Sequence, residues 1–279
     1  MVITDVDVEA YERDGVVCVR GAVDGAWVDR MRAAVDRVMR EPGPYSKREV
    51  APDGSGRFHN DMFMWTRDDD FRAFVFESPA ADLARAVMRS TRADLFYDHL
   101  LVKQPRASEP TPWHHDLPYW PVAGDQVCSV WLALDAAGPE TGAVEYVAGS
   151  HRWGRRFEPE TFIRGRPLDA QGLEPIPDID AHRDEYRILS WEVEPGDCLI
   201  HHALTVHGAP GNTTSDRTRR GLSTRWTGDD ARYDPHPGTF RLVRDPGLTP
   251  GDPMVCDLFP CVRGAGAVPH GERVTGLSS

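Results

Sequence analysis

Hydrophobic positions change rhythm about a third of the way along the chain. In residues 25–42, "GAWVDRMRAAVDRVMREP", apolar side chains fall at 27, 28, 31, 35 and 38. That spacing predicts an amphipathic helix that stops before Pro42. From residue 68, "DDDFRAFVFESPAADLARAVMRST" predicts a helix, a break near Pro79 and a second helix. Asp68, Asp69 and Asp70 favour the first N-terminus because carboxylates complement the positive end of the helix dipole. After residue 93 the rhythm shortens. "DLFYDHLLVKQP", "QVCSVWLALD", "GAVEYVAGS", "RILSWEVEPGDCLIH", "ALTVHG" and "RRGLSTRW" are strand-like runs bounded by Gly, Pro, Asn and Asp. Strands with no helix between them argue against a parallel sheet. They predict an antiparallel sandwich, for which a jelly roll is the natural closed form.

The expected organisation is one domain over residues 1–279. It has a helical N-terminal part to about residue 92, a β core over about 93–235 and a C-terminal extension from 236. Residues 151–186 are rich in proline, arginine and acids with weak periodicity, which predicts a lid inserted in the core or else a disordered insert. The 279 residues carry a formal net charge of −12, with 40% hydrophobic and 27% charged residues. That describes a soluble globular protein without the basic stripe of a nucleic-acid binder. No apolar run approaches the roughly 20 residues of a membrane span. The opening "MVITDVDVEAYERDG" has no apolar core, so no signal peptide is expected. Five cysteines, odd in number and without a CxxC pair, fit a reducing cytoplasm.

Candidate chemistry centres on "WHHDLPYW", residues 113–120. Strand side chains alternate faces, so His114 and Asp116 share a face and His115 points away. One imidazole and one carboxylate aimed at the same point are half of a metal site, or simply a hydrogen-bonded pair. A third donor is offered by His207 in "GDCLIHHALTVHGAPGN", read as the end of a hydrophobic strand before a turn. Two histidines and one carboxylate would bind one face of an octahedral ion and leave three positions open, as in non-haem Fe(II) oxygenases. His201 and His202 are read as structural. The basic run "RTRRGLSTRW" follows at 217–226. An oxygenase that uses 2-oxoglutarate must hold a dicarboxylate, and the planar arginine fork suits its far end. Arg219 lies twelve residues past His207, room for a turn and a return in the neighbouring strand. Gly221 shares its face and would leave space for the ligand. An ordinary surface arginine is the alternative.

The segments "WHHDLPYWP", "VWLALDAAGPETGAVEYVAGSHRWG", "PGDCLIHHALTVHGAPGN" and "RRGLSTRW", with the opening "YERDGVVCVRGAVDGAWVDRMRAAV", resemble the phytanoyl-CoA dioxygenase-like family of Fe(II)/2-oxoglutarate-dependent oxygenases. The resemblance covers most of residues 10–235. It implies a mainly β, cupin-like double-stranded β-helix, or jelly roll, with flanking N-terminal α-helices. It matches His114, Asp116 and His207 to the iron ligands, which are also the catalytic centre. It matches Arg219 to the 2-oxoglutarate-binding arginine and Trp131 to a tryptophan beside the cosubstrate. On "HLLVK" it brings His99 and Lys103 towards 2-oxoglutarate, with structural roles equally open to both. Two departures stand out: His115 where relatives often have glutamine, and Ala209 where some have a hydroxyl.

The implied reaction consumes O2 and 2-oxoglutarate, releases succinate and CO2, and hydroxylates a small-molecule substrate. Related halogenases carry a small residue in place of the carboxylate, so an intact Asp116 favours hydroxylation, or desaturation or ring formation. Arg152, Arg155, Arg156, Arg164 and Arg166 in the lid, and Arg225 by its inward parity, are candidates for an anionic substrate. Trp120 and residues 55–66 are candidate apolar walls. A metal-dependent jelly-roll isomerase or lyase without 2-oxoglutarate is one competing reading, and a non-catalytic relic of the scaffold is another.

Overall fold

The fold is that of a computed structural model describing residues 3–50, 54, 56–158 and 173–268. Among the described residues four α-helices form: α1 (Asp5–Asp14), α2 (Gly25–Arg40), α3 (Asp69–Glu77) and α4 (Ala80–Val87). The strands in chain order are β1 (Val16–Val19), β2 (Lys47–Val50), β3 (Arg57–Met62), β4 (Ala93–Lys103), β5 (Thr111–His114), β6 (Val122–Ala123) and β7 (Val127–Ala133). They continue with β8 (Glu145–Val147), β9 (Ile188–Ser190), β10 (Cys198–His202), β11 (His207–Ala209), β12 (Arg219–Thr227), β13 (Arg232–Tyr233) and β14 (Cys261–Arg263).

The large sheet runs β1-β10-β7-β12-β4-β3-β2, with β14 also on β4, and a smaller sheet runs β5-β11-β8-β9. All these pairings are antiparallel. This is the expected jelly roll, with one widening. β1, β2 and β3 come from the part read as helical, and β14 from the C-terminal extension. Each of these strands is too short, or too polar, to show a period of its own. "ALTVHG" also differs from expectation. Residues 203–206 turn, and the strand begins at His207 rather than ending there.

The large sheet is buried on both faces, and parity sorts its residues. Leu100, Val102, Val130, Leu132, Ile200, Leu222 and Trp226 face outward into one core with Val28, Met31, Val35, Phe71, Phe74, Leu83 and Val87 of α2, α3 and α4. The helices therefore coat the back of the sheet. The alternate residues face the small sheet, and there the strands carry polar side chains. α2 starts at Asp24, whose side chain accepts from Trp27 N–H. Asp68 caps α3 by accepting from the N–H groups of Asp70 and Phe71. The break between α3 and α4 falls at Ser78–Pro79 as predicted. α1 was not predicted; Thr4 and Asp7 cap it reciprocally.

The five cysteines are free. Among the described residues no helix is long and apolar enough to cross a membrane.

Candidate active site

His114 and His207 stand directly opposite one another, because β5 and β11 pair with those two residues in register. Their ring centroids are 4.2 Å apart. Each imidazole is oriented by its own backbone: His114 Nδ1 lies 2.8 Å from Pro112 O and His207 Nδ1 lies 2.9 Å from Thr205 O. A proton on Nδ1 donated to each carbonyl puts the lone pair of each ring on Nε2, as a metal ligand requires. Burial, then the neighbouring His114 and His201, push the His207 pKa well below the ordinary histidine range, which keeps it neutral.

Asp116 arrives differently. β5 ends at His114, and Asp116 sits in helical conformation at the start of a short 3-10 turn. The strand-parity argument thus reached the right face for a residue that is not on a strand. Asp116 Oδ1 lies 3.7 Å from His114 Nε2 and 4.0 Å from His207 Nε2. One ligand atom from each of His114, Asp116 and His207 falls within 4.8 Å of the others, and all three residues are buried. Burial alone would raise the Asp116 carboxyl. The Arg225 guanidinium, with His201 and His207, outweighs it and holds the group well below the usual carboxylate range. Among the described residues this is the one such group of three metal-binding side chains. A buried carboxylate beside two imidazoles whose Nε2 atoms face one point is a donor set that fits a ferrous ion.

His201 and His202 are buried and occupied elsewhere. His201 Nε2 lies 3.3 Å from the outer oxygen of Asp116, and His202 Nε2 lies 2.8 Å from Asp125 O. His115 does point away from the centre. It is buried rather than solvent-facing: Phe157 N–H donates to its Nε2, and the two rings pack 5.0 Å apart.

A cavity of about 330 Å³ opens on this centre, lined by both sheets. Its floor on the large sheet holds Arg219, Trp131 and His99. Arg219 Nη2 donates to Gly142 O at 2.9 Å, and the guanidinium lies 5.6 Å from the Trp131 ring centre. Burial pulls the Arg219 pKa down to about 10, still protonated at neutral pH. Arg219 Nε, Trp131 Nε1, Ser223 Oγ and His99 Nδ1 are buried polar atoms without a protein partner. Such atoms cost free energy unless something polar meets them. A cationic fork with unpartnered donors beside it fits a dicarboxylate. Burial takes the His99 pKa down to about 3, so this ring faces the cavity uncharged.

Three expectations for this region change. Arg219 does not return in a strand beside β11: β12 lies between β7 and β4 in the opposite sheet, so Arg219 faces the histidines across the barrel. Gly221 does not leave space for a ligand. A Cβ there would stand 2.3 Å from the Trp131 ring, so the glycine makes room for the indole. Lys103 is buried and donates to Ala209 O and Pro210 O, 3.3 and 2.6 Å away, tying β4 to the end of β11 instead of lining the cavity.

The remaining walls are largely apolar: Phe58, Met62, Tyr97, Tyr119, Trp120 and Phe240. Trp120 and residues 55–66 are expected here; Tyr97, Tyr146 and Phe240 are not. Inward parity on β4 finds Tyr97, but Phe240 lies in an irregular segment with no periodic signal. Of the arginines in the segment expected to form a lid, Arg164 and Arg166 lie outside the described residues. Arg152 donates to Arg13 O, and Arg155 pairs with Glu174. Arg225 pairs with Asp116 at 2.8 Å.

A family model for phytanoyl-CoA dioxygenase matches residues 11–221. The multifunctional dioxygenase prhA of Penicillium brasilianum is 25% identical over 228 residues, 77% of this chain and 69% of that protein. Among solved structures, the epimerase SnoN in complex with Fe3+, α-ketoglutarate and nogalamycin RO aligns with a TM-score of 0.71 and 27% identity. It covers 93% of this chain and 98% of its own. The α-ketoglutarate-dependent carbocyclase SnoK from nogalamycin biosynthesis aligns at 0.72 and 26%, covering 93% and 96%.

Proposed function

The chain belongs to the phytanoyl-CoA dioxygenase family, and on that premise we propose that His114, Asp116 and His207 hold the ferrous ion of a 2-oxoglutarate-dependent dioxygenase that hydroxylates a small, uncharged, largely apolar molecule. The observation that carries this reading is the convergence of three metal-ligating side chains on one side of a cavity whose other side presents Arg219 and its unpartnered neighbours.

When bound, iron and 2-oxoglutarate supply the oxidising power from O2, with succinate and CO2 as co-products. The chain's own side chains do the rest. His114 and His207 keep their Nε2 lone pairs directed at one point because their Nδ1 protons are engaged by carbonyls. Arg219 receives the far carboxylate of 2-oxoglutarate, with Trp131 Nε1 and Ser223 Oγ beside it as further donors. His99, neutral, adds a polar edge without competing for the charge. Trp120, Tyr119, Tyr97 and Phe240 exclude water from the reacting centre.

The charge arrangement supports an uncharged substrate. At the cavity, Arg219 is assigned to the cosubstrate and Arg225 is neutralised by Asp116. The rim carries Lys47 close to Glu49. An anionic substrate would need a cation not already committed. The competing isomerase or lyase reading leaves Arg219 and its neighbouring donors without a purpose, and the relic reading leaves the ligand set unexplained.

Hydroxylation has one specific rival in stereoinversion or ring closure, favoured by the likeness to an epimerase and a carbocyclase. Turnover under 18O2 with a substrate found by screening for succinate release separates the two. Hydroxylation places one 18O in succinate and one in the product. Product free of 18O assigns the rival outcome, and succinate that carries no 18O contradicts the whole reading.

A further inference from the structure

His114 and His207 are fixed by the β ladder, one opposite the other. Asp116 lies beyond the end of that ladder, on a turn. Something else must hold its carboxylate. The geometry points to Arg225, on the facing sheet, as the residue that positions Asp116 to offer a single oxygen to the metal; this rests on the metal reading above.

Arg225 is the fourth inward residue of β12, after Arg219, Gly221 and Ser223, and is buried. Its Nη1 donates to Asp116 Oδ2 at 2.8 Å and also to Ser129 Oγ. Ser129 Oγ in turn donates to the same Oδ2 at 3.2 Å. His201 Nε2 approaches that oxygen at 3.3 Å, with Tyr146 OH 3.4 Å from its Nδ1. Arg225, Ser129 and His201 therefore all serve Oδ2. Oδ1, facing the two histidines, receives none of them. One carboxylate oxygen is saturated by the protein and the other is left for the ion. A carboxylate held in this way would offer the ion Oδ1 alone.

Arg225 governs this arrangement because its own position does not depend on Asp116. The guanidinium rests against the Tyr97 and Trp120 rings, 5.9 and 5.5 Å from their centres, and those rings are joined by a 3.0 Å hydrogen bond from Trp120 Nε1 to Tyr97 OH. Arginine is suited to the task by its rigid planar fork and permanent charge. Ser129 is oriented by Arg225, and His201 has no fixed charge. Arg225 is thus a positioning residue, and its charge is spent inside the protein.

The test is the affinity of the metal-free protein for Co(II), measured by calorimetry without 2-oxoglutarate, with circular dichroism as a check on the fold. Arg225→Met keeps the bulk of the side chain and removes the fork. Outer partners of metal ligands are typically worth about 10–100-fold in metal affinity, and a loss in that range is expected. Arg225→Lys, which restores a cation, is expected to recover part of it. A folded Arg225→Met protein that binds Co(II) as tightly as wild type overturns the proposal. Should Arg225→Met not fold, Arg225→Gln is read on the same scale, and wild-type affinity there overturns it equally. Failure of the wild-type protein itself to bind Co(II) overturns instead the metal reading on which the proposal rests.

Discussion

Arg219 and Arg225 stand six residues apart on one strand, share its inward face and are both buried. Their partners separate their roles. Arg225 meets a carboxylate of the protein, whereas Arg219 meets a backbone carbonyl and keeps an unpartnered Nε. Replacing Arg219 by Met removes the cation proposed for the far end of 2-oxoglutarate. Hydrogen bonds to charged groups contribute roughly 1.5–3 kcal/mol, so the dissociation constant for 2-oxoglutarate should rise on the order of ten- to a hundredfold. Anaerobic titration followed by calorimetry measures this directly, and unchanged affinity would remove Arg219 from the site. At this scale much was legible beforehand. Spacing, strand parity and the family resemblance together singled out His114, Asp116, His207 and Arg219, where residue type alone left a simple His-Asp pair and a surface arginine open. What escaped was each residue's local duty. Gly221 accommodates the Trp131 ring, and Lys103 ties a loop. Such duties depend on the partner across the sheet, which lies far away in sequence.

Elements divide by the kind of signal they carry. α2, α3 and α4 show a helical period, with caps at Asp24 and Asp68, and appear where expected. β4, β7 and β12 are long enough to be read, but their two faces are both buried, so alternation is hidden until the inward polar residues are recognised. β1, β2 and β3 join the large sheet through pairing with distant strands. The tie between β4 and the turn that follows β3 carries a consequence for stability. Asp98, fully inside on β4, accepts Trp65 N–H at 3.0 Å through Oδ2, while Oδ1 has no protein partner. Burial, only partly offset by the backbone hydrogen bonds, raises its pKa to about 7, and the nearby Asp61 adds to the rise. A carboxyl raised in the folded state binds more protons there than in the unfolded chain, so this group's contribution to stability is lost as pH climbs from the unfolded value towards about 7. Asp98→Asn keeps an acceptor for Trp65 and removes the charge. Its melting temperature relative to wild type should be higher at pH 8 than at pH 5, by an amount on the order of a few kcal/mol in stability. An equal offset at the two pH values would show that Asp98 does not titrate in this range.

The whole molecule is a barrel whose proposed metal donors come from the small sheet and its following turn, while the proposed 2-oxoglutarate and Asp116 partners come from the large sheet. The two walls were not separable in sequence. His207 and Arg219, twelve residues apart, lie on opposite sheets, and no periodicity records which sheet a strand enters. The overall class was nonetheless legible, because antiparallel strands without intervening helices leave few closed arrangements. The central claim is that the triad and Arg219 serve one shared centre. Anaerobic addition of Fe(II) and 2-oxoglutarate to the wild-type protein tests it most directly. A weak visible charge-transfer band that saturates at one equivalent, requires both additions and is lost in Asp116→Ala is the predicted result. A wild-type protein that gives no band, or an Asp116→Ala protein that gives it unchanged, would contradict the account.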